Sequence, residues 1–204
     1  MKVLIVAKKM TMNSKANYHL FDMTRGTPGT KLTKKSANYM GKLRSQNSTR
    51  TDYLVVNSSY QQEVVAGISF ERPSVVQHLK DGSQPRKMNL ILPTLDGNNM
   101  PIPQSSKEEN TLLDFIHDRD KLPTKNYLYF HSKEPVFENG NYRLNFKGRV
   151  SVPSVKNFQL VPEDNIDDVV CQFGKVGDDR FHLDFKEPLN AFQAFCTALA
   201  QFNF

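Results

Sequence analysis

Residues 189–204 carry no charged side chain, and their apolar members recur at helical spacing. Leu189, Phe192, Phe195, Ala198, Leu199 and Phe202 cover most of a helix circumference. Asn190, Gln193, Thr197 and Gln201, at i, i+3, i+7 and i+11, fall on one narrow stripe. A helix of that make-up is buried nearly all round. At about 1.5 Å per residue it spans about 24 Å, short for a bilayer but matched to the axis of a closed β-barrel. The competing reading, a membrane-inserting C-terminal helix, lacks the Lys and Arg that such a helix carries on its polar face. The rest of the chain therefore has to supply a sheet that encloses the helix.

It is suited to do so. Runs rich in Val, Ile, Tyr and Phe, bounded by Gly, Pro, Asn or Asp, predict strands over 2–7, 17–23, 38–44, 52–57, 64–71, 87–92, 126–131, 141–147, 154–161, 168–174 and 180–185. Tyr142-Arg143-Leu144-Asn145-Phe146 and Phe181-His182-Leu183-Asp184-Phe185 alternate, one face inward and one in water, as antiparallel strands do. Glu138-Asn139-Gly140-Asn141 and Gly177-Asp178-Asp179 supply hairpin turns. Residues 94–107 read as a loop and 108–118 as a short helix. A chain of 204 residues without internal repeats is expected to form one mostly β domain over 1–204, with a core that needs neither disulfide nor metal.

Charge is uneven along the chain. Residues 1–50 hold eleven Lys or Arg against the single Asp22, and residues 51–204 hold sixteen basic against twenty acidic side chains. A basic segment joined to a mildly acidic body suits a face that meets polyanions. Residues 2–7 are too short for a signal-peptide core, and nothing approaches the roughly twenty apolar residues of a membrane span, so a soluble protein with peripheral membrane contact is expected. Cys171 and Cys196 follow no metal-ligand spacing and fit a reduced, cytoplasmic setting. His19, His78, His117, His131 and His182 are scattered, with no His-Glu-x-x-His or Cys-x-x-Cys pattern. The pairs Glu108-Glu109, His117-Asp118, Asp167-Asp168 and Asp178-Asp179 read as solvated surface, and no P-loop or Gly-x-Ser-x-Gly elbow occurs. Neither enzymatic activity nor a cofactor is expected.

The segment Asn145-Phe146-Lys147-Gly148-Arg149-Val150-Ser151-Val152-Pro153-Ser154-Val155-Lys156-Asn157-Phe158-Gln159-Leu160 closely resembles the Tubby family signature, Phe-x-Gly-Arg-Val followed by Ser-Val-Lys-Asn-Phe-Gln. Asn17-Tyr18, Gly41-Lys42-Leu43-Arg44-Ser45, Pro85-Arg86-Lys87-Met88 and Gln172-Phe173-Gly174-Lys175-Val176, leading to Gln193-Ala194-Phe195, extend the likeness over nearly the whole chain. The resemblance implies an antiparallel barrel of about twelve strands around a hydrophobic C-terminal helix. It also implies that this chain lacks the family's first strands and its last few residues, which would leave a sheet edge exposed.

The resemblance further implies a phosphoinositide site. The family's Lys-x-Arg pair falls on Lys42 and Arg44, and its upstream Asn on Asn17. Two residues apart on one strand, Lys42 and Arg44 leave the same face, where Arg offers a bidentate fork and Lys a compact charge to one headgroup. A further phosphate-binding Arg of the family is replaced here by Gln61, while Lys31, Lys34 and Lys35, in a loop longer than usual, are positioned to compensate with diffuse charge. Lys147, Arg149 and Lys156 suggest a second anion patch but are expected to be mostly structural or surface groups. The leading expectation is a non-enzymatic adaptor that binds phosphatidylinositol 4,5-bisphosphate and tethers to the plasma membrane or cilium, with ciliary transport machinery or membrane cargo as partners. A nuclear, DNA-binding transcription modulator is the main rival, disfavoured because no basic recognition helix is present. A protein-interaction module using the sheet edge or the 94–107 loop is the third.

Overall fold

In a computed structural model of the chain, residues 2–10, 15–25, 31–58, 63–71, 86–94, 112–117, 127–138 and 141–203 are described. They form strands β1 (Ile5–Lys9), β2 (Asn17–Asp22), β3 (Tyr39–Ser45), β4 (Asp52–Asn57), β5 (Val64–Phe70) and β6 (Met88–Pro93), then helix α1 (Leu112–His117). Strands β7 (Tyr127–Ser132), β8 (Val136–Glu138), β9 (Asn141–Arg143), β10 (Phe158–Pro162), β11 (Cys171–Gly177) and β12 (Arg180–Phe185) follow, and helix α2 (Ala191–Ala200) closes the order. Strands β1 to β7, then β10, β11 and β12, make a ten-stranded sheet in that order, with β8 and β9 a separate pair. The pairings β1–β2, β2–β3, β3–β4, β4–β5, β7–β10, β10–β11 and β11–β12 are antiparallel. The mostly β fold with a hydrophobic C-terminal helix is as the sequence predicts, whereas the sheet order ends on β1 and β12 and is open among the described residues.

Local chemistry explains where strands differ from their predicted spans. The predicted strand over 154–161 begins only at Phe158, because Ser154 Oγ accepts from Lys156 N at 3.2 Å and Asn157 N donates to Ser154 O at 3.0 Å, a side-chain-closed turn. The strand over 141–147 stops at Arg143, since Asn145 Oδ1 accepts from Lys147 N and Lys147 adopts a φ of 49°. The short β8 was not predicted; it pairs with β9 through Glu138 and Asn141, flanking the Asn139-Gly140 turn signal. Gly177 pairs with Arg180 across the second predicted hairpin, where Asp179 has a φ of 53°.

The chain divides into two compact units, one of Met1–Ser69, Ile91–Leu128 and Asn203–Phe204, the other of Phe70–Leu90 and Tyr129–Phe202. In the first, Leu54, Val56, Val64, Ile91, Leu112, Leu113 and Ile116 form one buried cluster. A Cβ at Gly67 would lie 3.0 Å from Ile91 Cγ2 and 3.1 Å from Leu112 Cβ, so the bare backbone there lets α1 settle onto β5. In the second unit the Phe173 ring stacks on Phe181 at 4.7 Å, and Phe202 meets both edge-on. Cys171 and Cys196 are free and buried; burial pushes the Cys171 thiol up to about 12 and Cys196 well above its ordinary value, so both act as small apolar groups. No helix among the described residues is long and apolar enough to cross a membrane.

Candidate anion-binding site

The register of the first three strands assembles the site. On β2 and β3, Asn17 stands opposite Arg44, Tyr18 opposite Leu43 and His19 opposite Lys42. Across β1 and β2, Lys8 stands opposite His19. Tyr18 and Leu43 are buried on one face, so alternation sends Asn17, His19, Lys42, Arg44 and Lys8 to the other. Directly opposed residues bring their Cβ atoms within about 4.5–5.5 Å. Lys8, His19 and Lys42 thus make one row across three strands, and Asn17 with Arg44 makes the next.

The electrostatics of this face are one-sided. Lys42 is half-buried, and burial, then Arg44 and Lys34, lower its ammonium from the ordinary range. Burial first, then Lys34, Lys42 and Lys8, lower the His19 imidazole. With the Gln46 amide oxygen turned toward it, Arg44 donates from Nε and Nη2 at 3.3 and 3.1 Å, which fixes the guanidinium. The segment bearing Lys34 is itself ordered: Ser36 Oγ donates to Lys31 O at 2.5 Å, Thr33 N donates to Ser36 Oγ at 3.0 Å, and Lys8 Nζ reaches Leu32 O at 3.5 Å.

Among the described residues, Asn17 Oδ1 and His19 Nε2 of this face are buried without a hydrogen-bond partner. Leaving such a group unsatisfied costs on the order of 1–3 kcal/mol, so a partner that reached either atom would be favoured there.

The predicted site residues fare differently. Asn17, Lys42 and Arg44 are brought together on one face. Of the three loop lysines, all exposed, Lys34 is the one whose charge reaches both His19 and Lys42. Gln61 lies outside the described residues, as do residues 95–107 of the predicted 94–107 loop, Glu108-Glu109 and Asp118. Sequence reasoning passed over His19 and Lys8; the signal for His19 was its spacing of two from Asn17 on a predicted strand, while Lys8 joins only through the β1–β2 register.

The signature cations are engaged elsewhere. Arg149 donates from Nε and Nη2 to the two carboxylate oxygens of Asp184 at 3.0 and 2.6 Å, and Lys156 Nζ sits 5.5 Å from the Phe202 ring centre. The Arg149 hydrogen bond holds the Asp184 carboxyl below its ordinary range. Lys147 lines a depression of about 650 Å³ in which Lys133 and Lys186 face Asp167, Asp168 and Asp184, with Lys133 bonded to Asp167 and Lys186 to Asp168. That balance of charge does not make an anion site. The His117 imidazole contacts Asp52 at 3.2 Å. No group of three or more His, Cys, Asp or Glu that could hold a metal occurs among the described residues.

Comparison with known proteins agrees with the motif. The Tub family model matches residues 1–204. Over 217 residues the chain is 33% identical to Tubby-related protein 3 of Mus musculus, covering 99% of this chain and 45% of that protein. It is 32% identical to Tubby-related protein 1 of Homo sapiens, over 99% of this chain and 38% of that protein. Against Protein king tubby 2 of Culex quinquefasciatus it is 35% identical, over 85% and 42% respectively. The chain spans less than half the length of these curated relatives.

Proposed function

This chain belongs to the Tub family, and on that premise we propose that it is a non-catalytic module that binds the phosphorylated inositol headgroup of phosphatidylinositol 4,5-bisphosphate. The observation that carries this reading is the face on which Lys42 and Arg44 stand beside Asn17, with two buried polar atoms left open. Lys42 supplies a compact charge and Arg44 a planar fork already oriented by Gln46. Asn17 Oδ1 is an acceptor, and an inositol ring brings both phosphates for the cations and hydroxyls that donate to that oxygen. In this reading the module is peripheral at the cytoplasmic leaflet of the plasma membrane or cilium, and it tethers or delivers membrane cargo.

Vesicle co-sedimentation tests it. At about 1 kcal/mol per basic residue near an anionic surface, Lys42→Ala/Arg44→Ala should weaken binding to vesicles containing phosphatidylinositol 4,5-bisphosphate by roughly 30-fold while remaining folded. Failure of the folded native chain to bind those vesicles above plain anionic ones would sink the reading. Release of bound protein by DNA at physiological salt, but not by soluble inositol phosphates, would favour the nucleic-acid alternative.

A further inference from the structure

His19 occupies an unusual place for a core histidine. It is 5% exposed, its Nε2 is buried without a partner, and its neighbours across the two flanking strands are lysines, Lys8 and Lys42. Next along the same face is Asn17, whose Oδ1 is buried and unpartnered in the same way. Among the described residues, the remaining titratable groups that face the imidazole are Lys34, from the 31–38 segment, and Tyr39 of β3, whose ring lies edge-on at 5.5 Å. Arg44 flanks Lys42 on the same strand. Burial pushes the Tyr39 phenol up to about 12, so the imidazole is the member of this cluster whose ordinary range lies near neutrality.

Burial and three surrounding ammonium groups lower the His19 imidazole and so disfavour its protonated form. A bound polyphosphate reverses that field: it places negative charge where the cations converge and offers an acceptor to a protonated Nε2. We propose that His19 is a headgroup-binding residue, taking up one proton from solvent at Nε2 when a polyphosphorylated inositol binds and donating it to a phosphate oxygen. The proposal rests on the headgroup reading of this face and adds to it that binding is coupled to pH. The sign follows from linkage. His19 binds its proton more tightly in the complex than in the free protein, so its contribution to affinity grows as pH falls from the complexed toward the free titration range, by at most about tenfold per pH unit. The ligand's own phosphomonoesters act in the opposite sense, gaining charge as pH rises. The informative quantity is therefore the native chain compared with His19→Gln on the same ligand.

Calorimetric titration with soluble inositol trisphosphate, near pH 6 and near pH 8, reads that quantity, and NMR of the His19 Cε1–H reads protonation directly. The native affinity relative to His19→Gln should be at least about 5-fold greater near pH 6 than near pH 8. The native His19 resonance should titrate at higher pH with ligand than without. Equal pH profiles with an unmoved resonance would make His19 a core filler and leave the headgroup site standing. No binding by the folded native chain, or binding undiminished in Lys42→Ala/Arg44→Ala, would overturn the site and with it the proposal. If His19→Gln does not fold, the resonance of the native chain decides alone, an upward shift supporting the proposal and none overturning it.

Discussion

At Gly174 the absence of one methyl group decides how the signature segment lies on β11. A Cβ built there would fall 2.0 Å from Val150 Cγ2 and 2.9 Å from its Cγ1. Val150 has little room to retreat, because Ser151 N and Val152 N both donate to Lys175 O, at 3.3 and 3.1 Å, pinning its backbone beside the strand. Overpacking of this kind typically costs about 1–3 kcal/mol. Gly174→Ala should lower stability by that amount in urea unfolding, and Val150→Ala in the same chain should recover part of it. A Gly174→Ala variant as stable as the native chain would mean that Val150 swings away freely. The sequence signalled only half of this: a glycine inside a predicted strand marks a close approach, but its partner, 24 positions earlier, is settled by the hydrogen bonds to Lys175.

Helix α2 shows what periodicity reveals and what it hides. Its burial was legible, since the run carries no charge and its apolar residues cover most of the circumference, although Phe202 beyond its end is exposed. The stripe of Asn190, Gln193, Thr197 and Gln201 looks like a solvent face, yet Gln193, Thr197 and Gln201 are buried. Three of its members work instead as local hydrogen bonding, while the buried Gln201 side-chain amide has no partner among the described residues. Asn190 Oδ1 accepts from Gln193 N at 2.9 Å while Gln193 Oε1 accepts from Asn190 N at 3.0 Å, a reciprocal cap. Thr197 Oγ1 donates to Gln193 O at 2.9 Å, and Arg86 Nη1 donates to Gln201 O at 2.7 Å, placing a cation at the negative end of the helix. Removing the cap with Asn190→Ala should cost about 1 kcal/mol, measured by urea unfolding. No change would mean that the packing of Leu189 and Phe192 alone fixes where the helix starts. The shifted strands carry a related lesson: Ser154 and Asn145 hold turn-closing side chains within β-rich runs, and such local hydrogen bonds outcompete the ladder.

Across the whole molecule, the surplus of cations in residues 1–50 was visible from composition, but composition does not separate a built site from a diffuse charged surface. Register does. Lys42 and Arg44 share a face by spacing alone, whereas Asn17, Lys8 and His19 join them only because β1, β2 and β3 pair where they do, and pairing depends on which residues each strand buries. The same distinction divides the loop lysines. If Lys31, Lys34 and Lys35 act only as diffuse charge, their substitutions are interchangeable and salt abolishes the difference from native. Lys34, whose charge reaches His19 and Lys42, behaves instead as part of the site. Lys34→Ala should therefore weaken binding to vesicles containing phosphatidylinositol 4,5-bisphosphate by about 5-fold, near 1 kcal/mol, and Lys31→Ala or Lys35→Ala by under half that energy. The contrast should sharpen as salt rises, because the Debye length falls from about 10 Å at 0.1 M to about 3 Å at 1 M, screening remote charges before close ones. Three equal losses that vanish together with added salt would return the loop to a general cationic surface and confine the site to Asn17, His19, Lys42 and Arg44.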